Sequence, residues 1–200
     1  NLKIIGSNLK IFDDAFEYLI PTEAKKKKGQ FFTPRNVIEM CVRILNPKKN
    51  EFIFDPSCGS AGFLIHALEW SFPNLKNINH KNEKKSNYAS KYLWGIDFEN
   101  KAIKTSKSMM LIAGDGSSNI FGPDVNSLNP KTWYETVSGK KFIQKLYESD
   151  LIDAEINDKK NFDNINNAWK LFKKLKFDII LANPPFAGEI REKEVLNNYE

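Results

Sequence analysis

Apolar positions recur along this chain in runs of strand length, and these alternate with stretches of helical spacing. Four runs read as strands: Glu51–Asp55 around Phe52-Ile53-Phe54, then Tyr92–Asp97, a weak Asn119-Ile120-Phe121, and a run from Phe177 that ends where Asn183 emerges. Between them the spacing predicts amphipathic helices. One stripe is Val37, Ile38, Cys41, Ile44 and Leu45; a second is Phe63, Leu64, Ala67 and Leu68. A third, within Asn100–Ala113, is Ala102, Ile103, Ser106, Met109, Met110 and Ala113; a fourth is Ile165, Ala168, Trp169, Phe172 and Leu175. An earlier stripe, Phe12, Ala15, Phe16 and Leu19, ends at Pro21 before the run Lys25–Lys28. Residues 71–90 are rich in Asn and Lys and read as an insertion or loop, and 129–176 as a long detour with two helices. Strand–helix alternation with polar residues at successive strand ends predicts α/β architecture: a Rossmann-like, doubly wound, mostly parallel sheet with its site along one edge.

The strand ends carry the candidate chemistry. The last run stops at Asn183-Pro184-Pro185-Phe186. Proline cannot donate to a sheet ladder, so the strand ends where the Asn183 amide emerges, and the fixed φ of both prolines stiffens the loop. The Asn183 amide oxygen and the Pro184 carbonyl suit an amino group as paired acceptors, with Phe186 as a stacking surface. The same stretch reads equally as an ordinary strand and a proline turn. The first strand closes at Asp55, followed by Pro56-Ser57-Cys58-Gly59-Ser60-Ala61-Gly62, whose small residues let a ligand approach the backbone. It is neither a G-x-G-x-x-G nor a P-loop, and the acid favours a ligand with an amine or hydroxyls over a phosphate. Asp97 ends the second strand where a ribose-binding carboxylate is expected, with Phe98 beside it to cover a purine. Upstream, Gly29-Gln30-Phe31-Phe32-Thr33-Pro34-Arg35 predicts a helix start with Thr33 as cap and Pro34 as first helical residue. Such a start is either a well-capped surface helix or a seat for a carboxylate.

Composition narrows the class further. Of 200 residues, 41% are hydrophobic and 28% charged, the balance of a globular domain, and no apolar run is long enough to cross a bilayer. The start, Asn1-Leu2-Lys3-Ile4, is not a signal peptide, so a cytoplasmic location is expected. Two cysteines, Cys41 and Cys58, make no disulfide framework, and without C-x-x-C or H-E-x-x-H no metal is expected. A net charge of +5 permits a polyanionic partner.

Taken together, the motifs resemble those of S-adenosylmethionine-dependent DNA adenine-N6 methyltransferases. Their order is similar to the methylase subunit of type I restriction–modification systems, or the methylase part of fused type II enzymes. Gly29 to Arg35 matches the family's opening motif, Asp55 to Leu64 its cofactor loop, Gly95-Ile96-Asp97 its ribose acid, and Asn183-Pro184-Pro185-Phe186 its amino-methylation motif.

The resemblance implies a cofactor site of Gln30, Phe32, Thr33, Asp55, Ser57, Gly59, Ser60, Gly62, Asp97, Phe98 and Asp124, with Asp115 as the rival to Asp124 for the cofactor adenine amine. It implies catalysis by Asn183, Pro184, Pro185 and Phe186 on a flipped adenine. The expected organisation is an N-terminal helix and lysine-rich linker over 1–28, then the first portion of the catalytic domain over 29–200, incomplete at its C-terminus. Expected partners are double-stranded DNA, a sequence-specificity subunit or domain and a restriction subunit, with no membrane. Relatives often carry Gly at the position of Ala61, so alanine there implies that no positive φ is needed. The rival functions are protein-glutamine or RNA amino-group methylation, or a silent scaffold that keeps the fold.

Overall fold

In the computed structural model, which describes residues 33–72, 83–114, 119–152, 164–185, 190 and 193–199, four short strands form one parallel sheet. They are β1 (Ile53–Asp55), β2 (Leu93–Ile96), β3 (Ile120–Phe121) and β4 (Ile179–Ile180), in the order β3-β2-β1-β4. The register pairs Asp55 with Gly95, Ile96 with Phe121, and Phe54 with Ile180. Asp178 locks the last pairing: its amide donates to the Phe52 carbonyl at 2.9 Å, and its Oδ2 accepts from Phe52 N at 2.7 Å.

Because successive strand residues face opposite ways, the sheet has a core on each side. Ile53, Leu93, Ile120 and Ile179 pack under α1 (Arg35–Leu45), α2 (Gly62–Ser71), α3 (Glu83–Tyr92) and α4 (Asn100–Ala113). Phe54, Trp94, Ile96 and Phe121 face the other way, toward α5 (Thr132–Glu135), α6 (Val137–Tyr147) and α7 (Ala168–Phe172), which follows a 3-10 turn at Ile165–Asn167. That second core is aromatic: Trp133 and Phe142 meet edge to face with centroids 4.8 Å apart, and Phe54 stacks on Phe177 at 4.5 Å. A last helix, α8 (Lys193–Asn197), buries Val195. The described residues of the detour, 129–152 and 164–176, are therefore the layer that covers one face of the sheet.

Several sequence expectations change. The polar stretch 71–90 was expected as an insertion or loop, but its described end is α3, held by buried Tyr88 and Ala89. The first stripe faces inward through Ile38 and Val42, whereas Ile44 is 73% exposed and Val37 and Leu45 are also exposed. Arginine, glutamate and asparagine leave α1 with two apolar flanks, and α2 covers only one. Pro34, not Thr33, is the cap of α1: its carbonyl accepts from Val37 N at 2.9 Å and Ile38 N at 3.1 Å, and no side chain caps the helix. Ile180 is 61% exposed, so the last strand is covered on one face rather than buried on both among the described residues. Ala61 does adopt positive φ, at 66°, where the loop turns into α2. The Phe12–Leu19 stripe, Lys25–Lys28, Gln30, Phe31, Phe32, Asp115 and Phe186 lie outside the described residues.

Candidate functional site

Strand order reverses at β1, with β2 on one side and β4 on the other, and in open α/β sheets ligands bind in the crevice outside such a reversal. Asp55 ends β1 there and is only 2% exposed. Beside it, Leu181 N donates to the Phe54 carbonyl at 3.0 Å, after which Ala182-Asn183-Pro184-Pro185 leaves the sheet. Asn183 is half-buried and both prolines are exposed. A buried acid and a stiff amide-bearing loop thus leave neighbouring strands in the same direction.

The loop from Asp55 to Gly62 folds back across β2. Cys58 N donates to the Ile96 carbonyl at 2.9 Å, and Gly59 N donates to Asp97 Oδ2 at 2.9 Å. The other Asp97 oxygen accepts from Glu99 N at 2.9 Å. Asp97 therefore shapes the loop with both carboxylate oxygens, and a carboxylate has about four acceptor sites in all. Gly59 has φ 52°, and a Cβ there would meet nothing within 4 Å, so open space lies beside the loop. Ser57 Oγ is buried with no hydrogen-bond partner. Phe98, next to Asp97, is 61% exposed. An unmatched hydroxyl, two acids and a bare ring at adjacent strand ends suit a ligand with an amine, hydroxyls and an aromatic base.

Electrostatics point the same way. Burial pushes the Asp55 carboxyl up to about 8, the Ser57 amide at 3.1 Å opposes this, and the Asp97 charge adds to it. Asp97 is raised by burial too, against the hydrogen bonds from Glu99 and Gly59. The Cys58 thiol is pushed well above its ordinary value by burial and by both acids, which makes it an inert packing group. Two acids at adjacent strand ends are best relieved by a cation placed between them.

Thr33 precedes the first turn of α1, whose amides no side chain caps. Arg35 Nε donates to His66 Nε2 at 3.3 Å, and His66 Nδ1 lies 2.8 Å from the Gly62 carbonyl, tying α1 to the end of the cofactor-type loop. Ser60 and Gly62 are partly exposed at that end. Asp124 is exposed, with φ 63°, and its amide donates to the Phe98 carbonyl at 3.3 Å, which brings it beside Asp97 and Phe98. Sequence reasoning passed over Asp178, His66 and Ser138, since each acts through a partner far along the chain. For Ser138 the nearest available signal was Thr136, whose Oγ1 accepts from Gly139 N at 3.0 Å as the cap of α6.

The sequence model of the N-6 DNA methylase family matches residues 7–200. Among curated proteins, the chain is 29% identical over 93 residues to the type II restriction enzyme and methyltransferase RM.BcgI of Heyndrickxia coagulans, covering 46% of this chain and 14% of that protein. It is 40% identical over 65 residues to the type I restriction enzyme EcoKI methylase subunit of Escherichia coli K12, covering 31% of this chain and 12% of that subunit. The chain thus spans well under a fifth of these relatives. A solved modification subunit of a putative type I restriction enzyme from Vibrio vulnificus YJ016 superposes with TM-score 0.57 at 22% identity, covering 96% of this chain and 30% of the other, and so shares its fold. The reversed parallel sheet is that of the S-adenosylmethionine-dependent methyltransferases, and the match over nearly the whole sequence shows that the chain belongs to the N-6 DNA methylase family.

Proposed function

We propose that these residues bind S-adenosylmethionine and a flipped DNA adenine within the catalytic domain of a restriction–modification adenine-N6 methyltransferase. The observation that carries this reading is the placing, at the sheet's reversal, of the buried Asp55 at the end of β1 and the Asn183-Pro184-Pro185 loop that follows its parallel neighbour β4. The bound cofactor supplies an electrophilic methyl group. Asp55 accepts from its ammonium, and the uncapped first turn of α1 with Thr33, Gln30 and Phe32 receives its carboxylate. Ser57, Gly59, Ser60 and Gly62 line the methionine part. Asp97 accepts from the ribose hydroxyls, Phe98 covers the adenine face, and Asp124 accepts from the adenine amine.

The target amine is a poor nucleophile because its lone pair is delocalised into the ring. Asn183 Oδ1 and the Pro184 carbonyl would each accept a hydrogen bond from its N–H groups and so hold that lone pair toward the methyl, with Pro185 stiffening the loop. The rate gain comes from orientation and electrostatics. A stacked base cannot reach these acceptors, so the adenine leaves the duplex and stacks on Phe186. Residues 29–200 belong on this reading to the catalytic domain. Sequence choice is made by a specificity subunit or domain, with a restriction subunit as further partner, in the cytoplasm.

Transfer of tritium from labelled cofactor into DNA by the intact protein, followed by nucleoside analysis, tests the reaction: label in N6-methyladenine is expected. Label in protein or RNA would replace the substrate. In the same assay Asn183→Ala should cut transfer on the order of a hundredfold or more while cofactor affinity holds. Equal losses in both would make the loop structural.

A further inference from the structure

Among the described residues of 129–176, Ser138 reaches the turn that carries Asp124. Ser138, in the first turn of α6, bonds Gly122 twice: its Oγ accepts from Gly122 N at 2.7 Å and donates to the Gly122 carbonyl at 2.8 Å. Gly122 is buried with φ 130°, and a Cβ there would overlap the Asp97 carbonyl and Ile103, so this residue has one tight seat between β2, α4 and α6. Two residues on, Asp124 N donates to the Phe98 carbonyl at 3.3 Å. One line of contacts therefore runs from α6 through Gly122 to Asp124 and Phe98. The far side of Ser138 is itself anchored, because Thr136 caps α6 and Gly139 packs against the Trp133 backbone.

We infer that Ser138 is a positioning residue for the adenine end of the cofactor site, holding the Gly122–Asp124 turn so that the Asp124 carboxylate meets the base beside Phe98. This rests on the role proposed above for Asp124. Without the hydroxyl, a buried N–H and carbonyl lose their partner together, and the turn must move to find water. The methionine contacts lie on the other strand ends, and the Asp97 carboxylate, although its backbone borders Gly122, is held by Gly59 N and Glu99 N rather than by this turn.

The readout is the preference for adenine over hypoxanthine. Binding of S-adenosylhomocysteine and its inosine counterpart to the intact protein is measured by calorimetry. Hypoxanthine presents a carbonyl where adenine presents the amine, so the unmodified protein should favour adenine and Asp124→Ala should erase the preference. Ser138→Ala should reduce it by roughly threefold to tenfold through weaker adenine binding alone, the worth of a neutral hydrogen bond. Ser138→Ala added to Asp124→Ala should change the preference no further. Ser138→Cys, which keeps the size and a weak donor, should show a smaller loss and supplies the test if the alanine variant does not fold. Equal weakening of both ligands by a folded Ser138 variant, an unchanged preference in it, or additive effects with Asp124→Ala would overturn the inference. If Asp124→Ala itself keeps the preference, the assignment of Asp124 falls and the inference falls with it.

Discussion

Asp55 works against the fold that buries it. Its carboxyl ordinarily titrates near 3.8 and in the fold near 8, so between these values the unfolded chain carries the charge and the folded chain does not. Stability from this group is complete below about pH 4, is lost as pH rises toward 8, and changes no further above that. Asp55→Asn keeps an acceptor for Ser57 N and removes the charge. Its melting temperature should match the parent's near pH 4 and exceed it near pH 8, while cofactor affinity falls; a pH-independent difference would mean that the acid is not buried in the free protein. Ala61 poses a second residue-scale question, because its left-handed conformation costs roughly 1 kcal/mol for a residue with a Cβ. Its methyl is fully buried and contributes a similar ~0.8 kcal/mol. Ala61→Gly should therefore leave stability within about 1 kcal/mol of the parent by urea unfolding, as these terms and the entropy of glycine offset.

At the scale of elements, α5 and α6 meet at Gly139, where any Cβ would overlap the Trp133 backbone. Backbone cannot yield as a side-chain tip can, so Gly139→Ala should force the helices apart and cost about 1–3 kcal/mol in urea unfolding. A neutral result would show that the helices slide freely over each other. By contrast, the Cβ of an alanine at Gly62 would meet only the tip of Ile38, where α1 crosses α2.

Across the whole molecule, the two cores share the strands, so neither face stands alone. Trp94 and Phe121 of the sheet pack against Phe142 of α6, with centroids 5.9 and 5.0 Å apart. Phe142→Ala should cost about 3–5 kcal/mol and shift one cooperative transition, seen alike by near- and far-ultraviolet circular dichroism. Two separated transitions would make the layer over 129–176 an independent unit. No helix among the described residues is long and apolar enough to cross a membrane.

By itself the sequence determined what local chemistry dictates: the parallel alternation, a helix from about Asn100 to Ala113, and the placing of Asp55 and Asp97 at strand ends, whereas Asn183 lies in the loop three residues beyond Ile180. Periodicity reports which face of an element is apolar, and prolines and acids report where a strand stops. Only the tertiary structure decided which faces find a partner. Val37 and Ile44 are as apolar as Ile38 and Val42, yet α2 lies against the second pair alone. Ala61 takes a left-handed turn because Cys58 and Asp97 pull the loop onto β2, a force that no residue near it in sequence reveals. The detour over 129–176 looks like an interruption when read along the chain, since its partners Phe54, Trp94 and Phe121 are tens of residues away. Folded, its described residues are the second wall of the sheet, and the contact of Ser138 with Gly122 exists only because that wall is there.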